Sequence, residues 1–97
     1  MSGGDWKAMF KAIQDNDLEL VRFYINMGID INYQHPEYLA LPLSESIRYN
    51  HLEIAELLLS NGADLNIIEM ESRVSPLDLA KKRGNQKTIE LLQEFDR

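Results

Sequence analysis

The sequence contains no cysteine, only three prolines and no long apolar run. Without cysteine the chain has no disulfide, no thiol nucleophile and no thiolate metal ligand. A membrane-spanning helix needs about 18 consecutive apolar residues, and no segment approaches that length. Residues 1–5 also lack the basic and then apolar pattern of a secretory signal. These absences predict a soluble, cytoplasmic protein that does not enter a membrane.

Positive charge is scarce, because 10 lysines and arginines stand against 16 aspartates and glutamates, a net charge of −6. Repulsion between like charges disfavours nucleic acid and anionic membranes as partners. Residues 44–72 carry six carboxylates and one arginine, a net −5, whereas residues 73–87 carry five basic residues and one aspartate, a net +4. We expect an acidic middle and a small basic patch around Lys81, Lys82 and Arg83.

The chain aligns with itself at a period of about 34 residues, and a period of this length is typical of stacked repeats. Residues 18–32 align with residues 52–66, and the Pro-Leu pair at 42–43 aligns with the pair at 76–77. The residues that recur unchanged between the first two units are Leu18 and Leu52, Glu19 and Glu53, Gly28 and Gly62, Asp30 and Asp64, and Asn32 and Asn66.

Residues that tolerate left-handed backbone recur in the same period and mark helix ends. Asn16, Asn50 and Gly84 share one phase, and Gly28 and Gly62 share another. Each unit is therefore predicted to be a helix, a tight turn, a second helix and a connection. The predicted helices span about 5–15 and 18–27, 42–49 and 52–61, and 76–83 and 86–95. Ser75 is a good N-cap before Pro76, whereas Leu41 before Pro42 is not.

The apolar faces of the second helices are too wide for isolated helices, so we expect neighbours to cover them on both sides. The last unit has polar Lys81, Thr88 and Gln93 where the middle unit is apolar, as an end unit requires. At the other end, Trp6, Met9 and Phe10 are expected to cover the open side of the stack.

The sequence resembles the ankyrin repeat family. Four segments carry the resemblance: Leu41-Pro42-Leu43-Ser44, residues 51–59 (HLEIAELLL), residues 61–66 (NGADLN) and residues 75–80 (SPLDLA). The resemblance implies an all-α helix-turn-helix solenoid of three helix pairs joined by short hairpin-like loops. It implies one domain over residues 1–97, with repeats at about 5–33, 38–67 and 72–97.

The chain departs from the family pattern at four positions. Ser44 and Asp78 stand where the family has histidine, so we expect a changed hydrogen-bond network. Leu39 and Arg73 stand where the hairpin usually has glycine, and each hairpin has one extra residue, so we expect irregular or bulged tips.

The resemblance also implies binding to another protein through the concave side, made of the hairpin tips and the exposed inner-helix positions. It implies no catalytic residue, cofactor or metal. The candidate contact residues carried over from the family are Gln14, Asp15, Met27, Glu37, Tyr38, Ala40, Arg48, Tyr49, Asn61, Glu71, Ser72, Val74, Lys82 and Arg83.

Some residues have a second interpretation. Tyr33 and Tyr38 either contact a partner or pack between repeats. Ile67, Ile68 and Met70 are expected to pack against the next repeat, and any part of them that stays exposed would form an apolar contact patch. Of the two histidines, His51 is expected to be structural. His35 is expected to be an ordinary surface residue, with a place in a contact surface as the alternative. Asp30 and Asp64 recur with the repeat, so turn chemistry explains them better than a metal site.

Three hypotheses remain for the function. The first is a binding module that holds one protein partner, as an adaptor, a regulatory subunit or an inhibitor of the immunity-protein kind, and that is a monomer when free. The second is a structural module that self-associates through an incompletely covered end, near which Trp6, Phe10 and Phe95 lie. The third and weakest is an enzyme or metal protein, because no constellation of catalytic groups is present.

Overall fold

The computed structural model describes residues 3–96 and contains six helices in that range, with no strand among them. They are α1 (Gly3–Gln14), α2 (Leu18–Asn26), α3 (Pro42–Arg48), α4 (Leu52–Ser60), α5 (Pro76–Arg83) and α6 (Gln86–Phe95). Each lies within two residues of its predicted bounds. The predicted all-α helix-turn-helix stack is therefore confirmed.

Polar side chains set the starts of three helices. Asp17, Ser75 and Asn85 accept hydrogen bonds from the main-chain N–H groups of Leu20, Asp78 and Thr88, at 3.2, 3.1 and 3.2 Å. Each bond satisfies an N–H that the helix itself leaves without a partner. As predicted, Leu41 gives α3 no such cap, and Pro42 starts that helix.

The predicted helix ends have left-handed backbone. The φ angles of Asn16, Asn50 and Gly84 are 59°, 58° and 73°, and those of Gly28 and Gly62 are 91° and 95°. Asparagine and glycine adopt this region more readily than other residues, so the repeated phase of these residues fixed the repeated turns.

The helices form two layers. α1, α3 and α5 pack side by side as an inner layer, and α2, α4 and α6 form an outer layer against them. The core between the layers holds fully buried apolar side chains from all three helix pairs, including Met9, Ile13, Ile54, Leu58 and Leu92. Burial of such side chains supplies most of the stability of a repeat stack.

Two loops connect the pairs, residues 29–41 (the first loop) and residues 63–75 (the second loop). The N–H of Leu39 donates to the carbonyl of His35 at 2.8 Å, and the equivalent N–H of Arg73 donates to the carbonyl of Glu69 at 2.7 Å. Leu39 and Arg73 have φ angles of 55° and 65°. The sequence predicted irregular tips, but both loops form the same ordered turn, one period apart. In each turn a non-glycine residue adopts left-handed backbone where the family has glycine.

Side-chain amides join the two loops. The Asn32 side chain donates to the carbonyl of Gly62 at 3.1 Å and accepts from the N–H of Asp64 at 2.8 Å. The Gln34 side chain donates to the carbonyl of Ile68 at 3.0 Å and accepts from the N–H of Met70 at 2.7 Å. Both amides therefore bond main-chain atoms of the next repeat.

The ends of the stack differ from expectation. Trp6 and Phe10 are buried, but beneath the first loop, where Trp6 donates to the carbonyl of Tyr33 at 3.1 Å. Thr88 is buried at the position that fully buried Ile54 has one repeat earlier, whereas Lys81 and Gln93 are exposed as predicted. Phe23 of α2 is 55% exposed, so the outer side of the first repeat has no cover within residues 3–96.

No helix in the described part of the chain combines the length and the apolar character that crossing a membrane requires.

Substitution of Gly62, in the turn after α4, tests whether left-handed backbone at this position requires glycine. A Cβ at position 62 would meet no atom within 4 Å, so Gly62→Ala adds only backbone strain. We expect it to lower the free energy of unfolding by about 1 kcal/mol, measured by urea unfolding followed through the single tryptophan. Arg73→Gly should shift stability the opposite way by several tenths of a kcal/mol, because it relieves a left-handed arginine. Equal stability in both variants would contradict this account.

Candidate functional site

An open depression of about 320 Å³ lies on the side of the molecule formed by the inner helices and the two loops, which we call the inner-helix face. It corresponds to the concave side expected from the sequence. α1 and α3 contribute its floor, and the loops contribute its rim. Its lining residues are Phe10, Gln14, Glu37, Tyr38, Ala40, Glu45, Arg48 and Glu71.

Aromatic rings form one wall of the depression. Tyr38 stacks on Phe10 with ring centroids 5.2 Å apart and on Trp6 at 5.7 Å. Phe10 and Trp6 are buried, whereas Tyr38 is 41% exposed. The tyrosine ring is therefore held rigid from behind and open in front, which suits contact with a partner at low entropic cost.

His35 belongs to the same cluster, which corrects its assignment as an ordinary surface residue. Its ring is only 9% exposed and lies 5.4 Å from Trp6. Its Nδ1 accepts a hydrogen bond from the N–H of Glu37 at 3.1 Å. The histidine therefore supports the first loop from inside.

The floor contains an ion network that we call the Arg48 network. The guanidinium of Arg48 makes a bidentate contact with Glu69 at 2.6 and 2.7 Å and donates to Glu45 at 2.8 Å. Glu69 also accepts from the N–H of Leu41 at 2.9 Å, and Glu45 accepts from Gln14 at 2.7 Å. The network thus runs from α1 through α3 to the second loop.

Glu69 is fully buried, and its partners keep it charged. Burial would by itself raise the pKa of this carboxyl group, but hydrogen bonds from Arg48, Ser72 and the N–H of Leu41 outweigh it and hold the pKa below its ordinary value of 4.5. Burial would lower the pKa of Arg48, but its bonds to Glu69 and Glu45 raise it overall. Arginine therefore stays protonated here at any ordinary pH.

The rim of the depression carries two more carboxylates. Glu37 pairs with Lys7 at 2.9 Å across an exposed surface, and the hydrogen bond from Lys7 lowers the pKa of Glu37. Glu71 is exposed, and its N–H donates to the carbonyl of Leu39 at 2.8 Å, which sets the second loop against the first.

The structure brings six of the fourteen sequence-predicted residues together around this depression. They are Gln14, Glu37, Tyr38, Ala40, Arg48 and Glu71. Ala40 is only 4% exposed, so it offers almost no contact area. Arg48 is largely taken up by its buried partners.

Four further predicted residues lie near the ends of the inner helices and are exposed: Asp15, Tyr49, Lys82 and Arg83. Asp15 pairs with Lys11, and Arg83 donates to the carbonyl of Arg48 at 3.0 Å. Tyr49 lies beside His51, whose ring is 3.2 Å from the carbonyl of Gln14 and so links two repeats, as expected of a structural histidine.

The other four predicted residues either lie outside the inner-helix face or expose little of their side chains on it. Met27 and Asn61 follow the outer helices, and Asn61 lines a groove between α2 and α4. Ser72 and Val74 are half-buried and hydrogen-bonded to each other. The expectation that Ile68 and Met70 pack inward is wrong, since they are 56% and 54% exposed while Glu69 between them points in.

The acidic middle is also distributed differently from the expectation. Glu45 and Glu69 are buried and share Arg48, so they do not form an acidic surface. Glu53 and Glu56 are exposed on the outer helix α4. Within residues 3–96 no three His, Asp or Glu side chains converge as metal ligands.

Removing the cation of the Arg48 network should destabilise the fold strongly. Arg48→Ala leaves Glu69 buried without its main partner, and we expect a loss of about 3 kcal/mol in the free energy of unfolding. Arg22→Ala is the control, because Arg22 is exposed and its ion pair with Glu19, at 3.7 Å, is weak. This variant should change the free energy of unfolding by less than about 0.5 kcal/mol. Similar losses of unfolding free energy in both variants would show that the Arg48 network stabilises the fold no more than an exposed ion pair does.

The pKa of Glu69 predicts a dependence on pH. Because its pKa is lower in the folded than in the unfolded chain, its contribution is complete above about pH 4.5 and is lost as the pH falls through the folded pKa. The difference in Tm between the wild type and Glu69→Gln should therefore be large at pH 7 and shrink below pH 4.5. Glu53→Gln, at an exposed site, should show little difference throughout, and a constant gap for Glu69→Gln would contradict the assignment.

A comparison with protein families supports the relationship that the repeat period indicates. The family model of ankyrin repeats, in three copies, matches residues 2–69. A search of curated proteins found none that matches the chain. The matched segment ends in the second loop, and α5 and α6 beyond it stack as a third pair. Ankyrin repeats generally mediate protein–protein interaction and are typically non-catalytic. Since the match covers more than half of the chain and the stacked helix pairs agree with it, the chain belongs to the ankyrin repeat family.

Proposed function

We propose that this chain is a non-catalytic module that binds one protein partner through its inner-helix face. The observation that carries the proposal is the depression whose aromatic wall is rigid and partly exposed. An aromatic side chain fixed by neighbours contributes large contact area with little loss of entropy on binding.

The second loop extends this surface. Ile68 and Met70 are exposed on either side of buried Glu69 near its tip, while Gln34 holds their main-chain atoms. Exposed apolar side chains on a well-ordered backbone are typical of contact sites. A partner that covers the depression and this tip would bury both aromatic and aliphatic area.

Charge gives the surface a direction. Glu71 lies at the rim beside Glu37, whose charge is already paired with Lys7, whereas Lys82 and Arg83 lie on the third repeat. A partner with basic residues facing the rim and acidic residues facing α5 would be steered and oriented. This arrangement fits an adaptor, a regulatory subunit or an inhibitor that covers a partly basic surface. A cytoplasmic location is part of the same proposal.

A binding test needs exposed residues that the fold does not require. Arg48 is unsuitable because its loss damages the Arg48 network. Tyr49 is 47% exposed, and the side chain of Glu71 is exposed at the rim. We expect Tyr49→Ala and Glu71→Lys each to reduce capture of the partner from native extract by about tenfold, which corresponds to about 1.4 kcal/mol.

Glu56→Lys on α4 is the matched control, because it changes the charge of the opposite side by the same amount as Glu71→Lys. Its capture should equal that of the wild type, with captured proteins quantified by mass spectrometry. Undiminished capture by both inner-face variants, or loss only with Glu56→Lys, would place the contact elsewhere and end the proposal.

A further inference from the structure

Equivalent positions in the repeats face equivalent neighbouring helices. A comparison of α4 and α6 with α2 therefore identifies the side of α2 that no preceding helix covers within residues 3–96. The groove between α2 and α4 is lined by Leu18 and Arg22 of α2, by Glu53, Glu56, Leu57 and Ser60 of α4, and by Asn61 directly after α4. One repeat later, Leu91 of α6 faces α4 across a similar groove. Positions 57 and 91 therefore face the preceding repeat, and Ile54, three residues before Leu57 and on the same side of α4, is fully buried.

The apolar residues at the corresponding positions one period earlier in the chain are Leu20 and Phe23 of α2 and Met27 directly after it. They lie at spacings of three and four residues, so they share one side of the helix and its end. They are 38%, 55% and 53% exposed, although all three are apolar. We call this surface the α2 end face. It has the character of an internal repeat interface that nothing within residues 3–96 covers.

The opposite end of the stack is polar. The residues of α6 that would face a following repeat are Gln86, Glu90 and Gln93, and all are exposed. Gln86 and Glu90 are hydrogen-bonded to each other at 3.3 Å. An apolar first end and a polar last end do not complement each other, so head-to-tail stacking of chains is disfavoured.

Two opposite charges of the first repeat, Lys11 of α1 and Asp15 directly after it, occupy positions whose equivalents in the later repeats face the preceding repeat. Lys11 pairs with Asp15 at 2.9 Å, and both side chains are more than half exposed. Their equivalents reach toward the preceding repeat, since Glu45 bonds Gln14 and Arg83 bonds the carbonyl of Arg48. Across a two-fold axis, Lys11 of one chain can meet Asp15 of the other, so the face is complementary to itself.

We propose that the α2 end face binds a second copy of this chain, head to head about a two-fold axis. Its apolar residues form the centre of the contact, and Lys11 and Asp15 pair across it. This surface replaces Trp6 and Phe10, which the sequence first suggested, because both are buried beneath the first loop. Phe95, the third residue suggested, is 39% exposed at the end of α6. The two-fold arrangement closes as a dimer and leaves the inner-helix face of each chain free.

Sedimentation equilibrium of the full chain from low micromolar to near-millimolar concentration tests the proposal. We expect a monomer–dimer equilibrium with a dissociation constant in the micromolar range, because the contact is small. Phe23→Glu should raise that constant by at least about tenfold, since it places a charge at the centre of the contact. Ile68→Glu is the control, because Ile68 is equally exposed but lies at the loop tip, and it should dimerise as the wild type does.

Charge exchange gives a second readout that folding defects cannot imitate. Lys11→Asp and Asp15→Lys should each dimerise weakly alone, because like charges then face each other across the axis. An equal mixture of the two should form a mixed dimer at lower concentration than either variant. Melting curves of each variant confirm that the monomer is folded.

A wild type that stays monomeric throughout overturns the proposal and leaves the face to a different protein or to a further repeat. Growth into larger oligomers with concentration overturns the closed two-fold arrangement. A dimer that Phe23→Glu does not weaken, or variants that do not prefer each other in the mixture, also overturns it.

Discussion

The position of the second loop depends above all on one buried charge and its neutralisation. Glu69 lies in a loop, yet it is fully buried and holds both ends of α3, through the N–H of Leu41 and the side chain of Arg48. The second loop contains no strand, so no sheet ladder fixes its backbone. The ion pair supplies that fixation and, through Glu45 and Gln14, ties it to the first repeat. The ion pair in the floor of the depression therefore fixes the position of the second loop, which forms part of its rim.

Much of the architecture could be predicted from residues with restricted backbone preferences. Asn16, Gly28 and their equivalents needed left-handed turns, and Ser75 with Pro76 needed a helix start, so six helices followed within two residues of their predicted bounds. These preferences are local and do not depend on tertiary contacts. Turn chemistry was local too, since Asp30 and Asp64 each accept from the N–H two residues later.

The candidate site was only partly predictable, because burial of a side chain depends on residues distant in sequence. Glu45 and Glu69 appeared as surface acids, yet each has an arginine partner 3 or 21 residues away. In the sequence His35 has no evident partner, but in the structure the first loop places it against Trp6. A clue existed in Glu69, which interrupts the apolar run from Ile67 to Met70 at the phase of buried His35. The repeat period can thus show which of several charged residues points inward.

The amide groups that join the two loops have an evolutionary consequence. Asn32 and Gln34 bond only carbonyl and N–H groups of the next repeat, so they are indifferent to which side chains that segment carries. Positions 68 and 70 can accordingly be replaced without loosening the backbone that presents them. Selection is then free to change which side chains the tip presents while the scaffold beneath it stays the same.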